Sequence, residues 1–163
     1  MTNREFCIAR RKAEYPAFVK VLKAMPQDRL DYRPEPRSRS AAELGWVLAF
    51  EEAALRTLVE TGSVTWKEVP PPATAAEIVA AYEENAQAVT DAISRMDDEA
   101  WEKKGSFCMA PDAPPWESPI SETLWGFLFD AIHHRGQLST YLRPMGGKVP
   151  SIYGPSADDP GTA

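Results

Sequence analysis

The chain's two histidines are neighbours, His133 and His134, inside the run DAIHHRGQLSTYLRPMGG. Asp130 stands four residues before His134, so on a helix both side chains leave one face a turn apart. A carboxylate and an imidazole at that spacing make either half of a metal site or a hydrogen-bonded pair. His133 lies about 100° round the same helix and reads as a surface group or a supporting neighbour.

A second candidate comes from a helix far upstream. Leu44, Val47, Leu48, Ala54, Leu55, Leu58 and Val59 share one broad face, and Glu51 falls near its middle. Glu52, beside it, is expected to point to water. An ionised carboxylate in an apolar seam is costly unless it is paired or bound to a cation, so Glu51 needs a partner. The downstream helix offers several. Its apolar sector holds Leu124, Phe127, Leu128, Ala131, Leu138 and Leu142, with Asp130, His134 and Gln137 along one edge. Arg135 lies near the centre of that sector, an odd place for a guanidinium without a carboxylate to meet it.

Two readings follow. In one, Glu51, Asp130, His134 and Arg135 form an ion-pair network that fixes helix register. In the other, Glu51, Asp130 and His134 are ligands to a divalent metal with water in the open positions. Two carboxylates and one imidazole suit Mn, Fe, Ni or Zn, and the lack of cysteine ligands argues against a closed structural zinc site. Such a centre activates a water or thiol, or polarises a carbonyl. Glu51 or Asp130 would then accept a proton and Arg135 hold an anionic group. No serine has a histidine–aspartate pairing suited to a nucleophile triad, and no glycine-rich phosphate loop is present.

These residues must be carried by helices, and the punctuation predicts four long ones. Apolar spacing (Phe6, Ala9, Ala13, Ala17, Val21, Met25) gives a first helix over 3–25, kinked or split near Tyr15 by Pro16. Ser40 with Glu43 forms a capping box that opens the second, which Gly62 ends. Thr74 with Glu77 repeats the signal for a third, striped by Ile78, Tyr82, Asn85, Val89, Ala92 and Met96. Asp97-Asp98 caps a short turn through Trp101. The proline-rich stretch 105–119 reads as a long loop, and the last helix starts near 118–121, with Pro119 suited to its first position, and runs to about Arg143. The fold class expected is all-α: a four-helix bundle over residues 1–150, then an irregular tail, 151–163, anchored by Ile152 and Tyr153 and loose at its end.

Bulk properties narrow the functions. At 163 residues the chain forms one domain with a real core, and its net charge of −6 disfavours nucleic acid as a partner. The runs Arg10-Arg11-Lys12 and Arg37-Ser-Arg39 read as solvated faces. Cys7 and Cys108 lack metal-type spacing and read as free thiols of a cytoplasmic protein, with no membrane segment. Trp46, Phe50 and Ala53 form a second apolar patch behind the Glu51 face, which points to a homodimer.

The blocks SRSAAELGWVLAFEEAAL, DAIHHRGQLSTYLRPMGG and PSIYGPSAD together resemble the DinB/YfiT-like superfamily of metal-binding helical bundles, over nearly the whole chain. The resemblance implies an up-down-down-up bundle, frequent dimers and a divalent metal held by three histidines. It also implies activities on small-molecule substrates, among them S-transferases that use a low-molecular-weight thiol (bacillithiol, mycothiol or glutathione) and maleylpyruvate isomerases. This chain departs from the pattern: the usual histidine positions fall on Val47, Asp130 and His134, and only the last is kept. Glu51, one turn beyond Val47, is the natural replacement ligand. The alternatives are a rebuilt metal site in a thiol-dependent transferase or a hydrolase, or a non-catalytic, stress-associated homodimer whose polar cluster is architectural.

Overall fold

A computed structural model of the chain describes residues 1–161. Its long helices are α1 (Asn3–Lys23), α2 (Ala41–Thr61), α3 (Ala75–Arg95) and, after the short α4 (Asp98–Glu102), α5 (Ile120–Leu142). Capping boxes at Thr2/Glu5, Ser40/Glu43 and Thr74/Glu77 supply partners for the first backbone N–H groups of α1, α2 and α3. Gly62 stops α2 at φ 81°, a left-handed conformation that costs a side-chain-bearing residue strain. Pro119 occupies the cap of α5 rather than its first helical position.

Pro16 does not split α1, which runs unbroken through it. A proline removes one N–H and orphans the carbonyl four residues back, here on Lys12. Both Pro16 and Lys12 are exposed, so water can satisfy that carbonyl. The buried face of α1 also differs from the expected stripe. Phe6, Ala9 and Ala13 are exposed, and the residues turned inward are Cys7, Arg11, Glu14, Ala17, Phe18, Val21 and Leu22.

The expectation of an all-α chain with a structureless loop over 105–119 is corrected by a small sheet. Its strands are β1 (Ser63–Thr65), β2 (Lys104–Cys108) and β3 (Trp116–Pro119). β1 pairs with β2 in parallel, Val64 opposite Phe107, and β2 pairs with β3 in antiparallel fashion, Phe107 opposite Trp116. In β2, Gly105 and Phe107 point inward while their neighbours face out. A Cβ on Gly105 would lie 2.9 Å from Leu58 Cδ1, so a larger residue there would have to displace that buried side chain. The chain is therefore mostly helical, with the sheet spanning the C-terminal end of α2 and the N-terminal end of α5.

α2 packs on α3 and α5, and α1 packs on the same two helices. One core cluster gathers Phe18, Leu22, Leu44, Leu48, Ile78, Tyr82 and Leu138, and a second Leu55, Leu58, Val89, Ile93, Trp101 and Leu124. Two ion pairs run through this interior. Arg11 is not on a solvated face: it is 6 % exposed and its Nη2 donates to Glu52, itself 6 % exposed rather than pointing to water. Arg135 Nη1 donates to Glu14 Oε2 at 2.8 Å, and Arg10 Nη2 donates to Glu14 Oε1 at 2.6 Å. From the tail, the Tyr153 hydroxyl lies 2.8 Å from Glu14 Oε2 and 2.6 Å from Arg135 Nη2. The Arg135 guanidinium also stacks on Phe18, 4.6 Å from the ring centre.

The tail is held in other places too. Ile152 packs on the core, Arg143 Nε donates to Asp158 at 2.9 Å, and the N–H groups of Ser151 and Gly161 donate to Asp159. The expected loose end falls partly on residues 162–163, outside the described residues.

Burial alone would raise the Glu14 carboxyl, but hydrogen bonds from Arg135, Tyr153 and Arg10 outweigh it and hold the group below its ordinary 4.5. A depressed folded-state value gives stability that is present above the unfolded value and lost as pH falls through the folded one. Urea midpoints should therefore fall on acidification below 4.5, and fall less steeply in Glu14→Gln. Glu52→Ala should cost about 3–5 kcal/mol in the same assay because it strands a buried guanidinium, and the double variant Arg11→Met/Glu52→Leu should recover most of that loss.

Candidate metal centre

Where α2 and α5 face each other, three of the residues singled out above come together. Each of Glu51, Asp130 and His134 offers one ligand atom, and these atoms lie within 4.8 Å of one another. His134 Nε2 is 3.4 Å from Asp130 Oδ2 and 3.9 Å from Glu51 Oε1. The Glu51 side chain is 4 % exposed, that of His134 20 % and that of Asp130 54 %. The cluster thus has a buried floor and an open rim. Its helices fix it: Asp130 and His134 are one turn apart on α5, and Glu51 sits one turn beyond the buried Val47 on α2.

Glu51 lies in the apolar seam that its position predicts, but Arg135 does not meet it. Arg135 is 1 % exposed and is taken up by Glu14 and Tyr153, which corrects both its expected pairing with Glu51 and its expected role in holding an anionic group. Glu52, the adjacent buried acid, is claimed by Arg11. Glu51 Oε2 is left buried with no hydrogen-bond partner. Burial and, after it, the nearby Asp130 carboxylate push the Glu51 carboxyl up to about 10, so in the bare cluster it holds its proton at neutral pH.

Two surrounding features were not read from the sequence as parts of the site. Gln137, one turn after His134, places Oε1 2.8 Å from His134 Nδ1. Trp66 bridges the two helices, 4.7 Å from Phe50 of α2 and 6.5 Å from Phe127 of α5, ring centre to ring centre. The i, i+3 spacing of His134 and Gln137 was a usable signal; nothing local announces Trp66. His133 is exposed, as its angle round α5 requires. The Trp46/Phe50/Ala53 patch, expected to pack on a second subunit, is covered in part by the chain's own linker. Trp46 Nε1 donates to Val69 O at 2.9 Å, and Trp66 lies edge-on to Phe50.

The DinB family model matches residues 11–161, which takes in all the elements that carry the cluster. The chain belongs to the DinB family. Among solved structures, a DinB-like protein from Bacillus cereus ATCC 10987 is 24 % identical with a TM-score of 0.73, over 91 % of this chain and 97 % of that one. The DinB-like protein YjoA from Bacillus subtilis is 16 % identical with a TM-score of 0.66, over 87 % and 92 %. A mycothiol-dependent maleylpyruvate isomerase is 15 % identical with a TM-score of 0.52; the match covers 88 % of this chain but 61 % of that protein. At these identities the likenesses establish the fold. Among curated proteins none matches.

A buried acid with one oxygen left unsatisfied is a cost the metal-free fold carries, of about 1–3 kcal/mol. Glu51→Leu should raise the urea midpoint of metal-free protein, whereas Glu51→Gln, which keeps a polar group in the seam, should leave it near wild type.

Proposed function

We propose that this DinB-family chain is a metal-dependent enzyme acting on a small molecule, of the thiol-dependent transferase or hydrolase type. One observation carries the reading: Glu51 is a buried carboxylate with an orphaned oxygen, grouped with an aspartate and an imidazole and ion-paired to neither buried arginine. Such a carboxylate is stabilised only by its own proton or by a bound positive ion. The donor set fits a divalent ion, with Glu51, Asp130 and His134 as the residues that would hold it and Zn, Ni, Mn or Fe as suitable metals. When bound, the metal would supply acidity to a coordinated thiol or water, or polarise a substrate carbonyl.

The chain's own residues define the rest of the chemistry. Asp130, on the open rim, is the carboxylate placed to take a proton from an incoming nucleophile. Glu51, on the floor, carries negative charge only when a cation compensates it, so its ionisation reports loading of the site. Phe50, next to Glu51 in sequence, and Phe127, three residues before Asp130, join through Trp66 in an aromatic patch that links α2 to α5. The thiol-dependent reading draws support from the shared fold with the mycothiol-dependent maleylpyruvate isomerase.

The competing reading makes the cluster an architectural network in a non-catalytic, stress-associated homodimer. The buried arginines favour the first reading, because both are spent on Glu14 and Glu52 and neither neutralises Glu51. A homodimer is compatible with the enzyme reading. What supports one is the pair of exposed rings Phe6 and Phe129, which flank the half-buried Trp125 with ring centres 5.6 and 5.7 Å from it. A cytoplasmic location is part of the proposal; among the described residues no helix is long and apolar enough to cross a membrane.

Protein purified without chelator or nickel resin should carry one equivalent of divalent metal by elemental analysis. Asp130→Ala and His134→Ala should each abolish it while keeping helical content. Metal-free wild-type protein with a stability indifferent to added Zn, Mn, Ni or Fe would refute the proposal.

A further inference from the structure

His134 has two ring nitrogens, and only one can serve the cluster. Nε2 faces the carboxylates, at 3.4 Å from Asp130 and 3.9 Å from Glu51. Nδ1 faces the side-chain oxygen of Gln137 at 2.8 Å. A neutral imidazole carries one N–H, and the two candidate bonds compete for it. The Gln137 contact has the length of a normal N–H···O bond; the Asp130 contact is too long for a good one, and Glu51 is farther still. With the Gln137 oxygen, which only accepts, as the facing atom, the contact is a hydrogen bond only when the proton is on Nδ1. That leaves the Nε2 lone pair pointing at Asp130 and Glu51.

From this we infer that Gln137 is a positioning residue: it locks His134 in the Nδ1–H form and aims the Nε2 lone pair into the Glu51/Asp130 cluster. An imidazole in water prefers the Nε2–H form, which would turn a donor, rather than an acceptor, toward the carboxylates. The Gln137 oxygen reverses that preference. Backbone geometry makes the contact: Gln137 follows His134 by three residues on α5, so the two side chains are neighbours on one helix edge. In metal-binding histidines the second nitrogen routinely donates to an oxygen that fixes tautomer and ring orientation, and removing that oxygen weakens binding by about 10–100-fold. The assignment of Gln137 to metal binding rests on the proposed metal reading; its assignment to the tautomer does not.

The two are separable by experiment. In metal-free protein labelled with nitrogen-15, at a pH where both rings are neutral, long-range proton–nitrogen correlation spectra distinguish the tautomers. The exposed His133 serves as an internal reference. Wild-type His134 should show the Nδ1–H pattern, Gln137→Leu should shift it toward Nε2–H, and Gln137→Glu should keep Nδ1–H. His133, whose ring centre lies 5.4 Å from that of His134, should keep its own tautomer pattern in every variant. Zinc titration of the same proteins should then give affinity about 10–100-fold weaker in Gln137→Leu and at least wild-type affinity in Gln137→Glu. An Nε2–H pattern in wild type, or an unchanged His134 in Gln137→Leu, overturns the inference. Equal zinc affinity in wild type and Gln137→Leu also counts against it. If wild type binds no zinc but the tautomers follow the expected pattern, the metal reading fails and the Gln137–His134 assignment stands.

Discussion

Among the described residues three acids and two arginines are buried: Glu14, Glu51 and Glu52 against Arg11 and Arg135. Much of the molecule's polar interior follows from that mismatch of one. Glu52 takes Arg11 and ties α2 to α1; Glu14 takes Arg135 and ties α1 to α5. The pairs hold three helices in register at points where apolar contact alone would allow sliding. Each is tolerable because it is paired, and each would be ruinous if halved. Glu51 is the remainder. Its seam offers aspartate and imidazole, groups that compete with it for positive charge or share it around an ion.

The contrast between the two kinds of buried charge separates architecture from chemistry. Arg11 and Arg135 are buried and each is held by its own carboxylate. The Glu51 cluster opens from a floor on α2 to a rim on α5, so it is both costly and accessible. Position along the helices, rather than residue type, makes the difference: Glu51 and Glu52 are neighbours in sequence but their side chains diverge round α2.

What could be read from the sequence follows the range over which each signal acts. The caps at Ser40/Glu43 and Thr74/Glu77 and the stop at Gly62 lie within four residues of the backbone they control, and each was legible. Glu51 was legible because the apolar residues around it fix its face. The face of α1 was not: Phe6, Ala9 and Ala13 make a plausible stripe, yet alanine sits on either side of a helix at little cost, and Arg11 and Glu14 reveal their burial only through partners 41 and 121 residues away. The strands failed for a similar reason. Runs of three to five residues carry no periodicity worth reading, and their pairing joins Ser63 to Ser106 across the whole of α3. Arg135 needs a carboxylate, as its place in the apolar sector implies, but it finds Glu14 rather than Glu51, because the spacing along α1 does not reveal that Glu14 faces inward.

Tyr153 gives the third donor on Glu14, 139 residues from it along the chain. A ribosome lays down the first helix long before it makes either Arg135 or Tyr153. Until those two residues have been made, that helix carries an inward carboxylate whose distant donors do not yet exist. Its polar face therefore cannot be fully satisfied by the earlier helices alone, and a nascent chain halted between Arg135 and Tyr153 would hold Glu14 with one donor fewer.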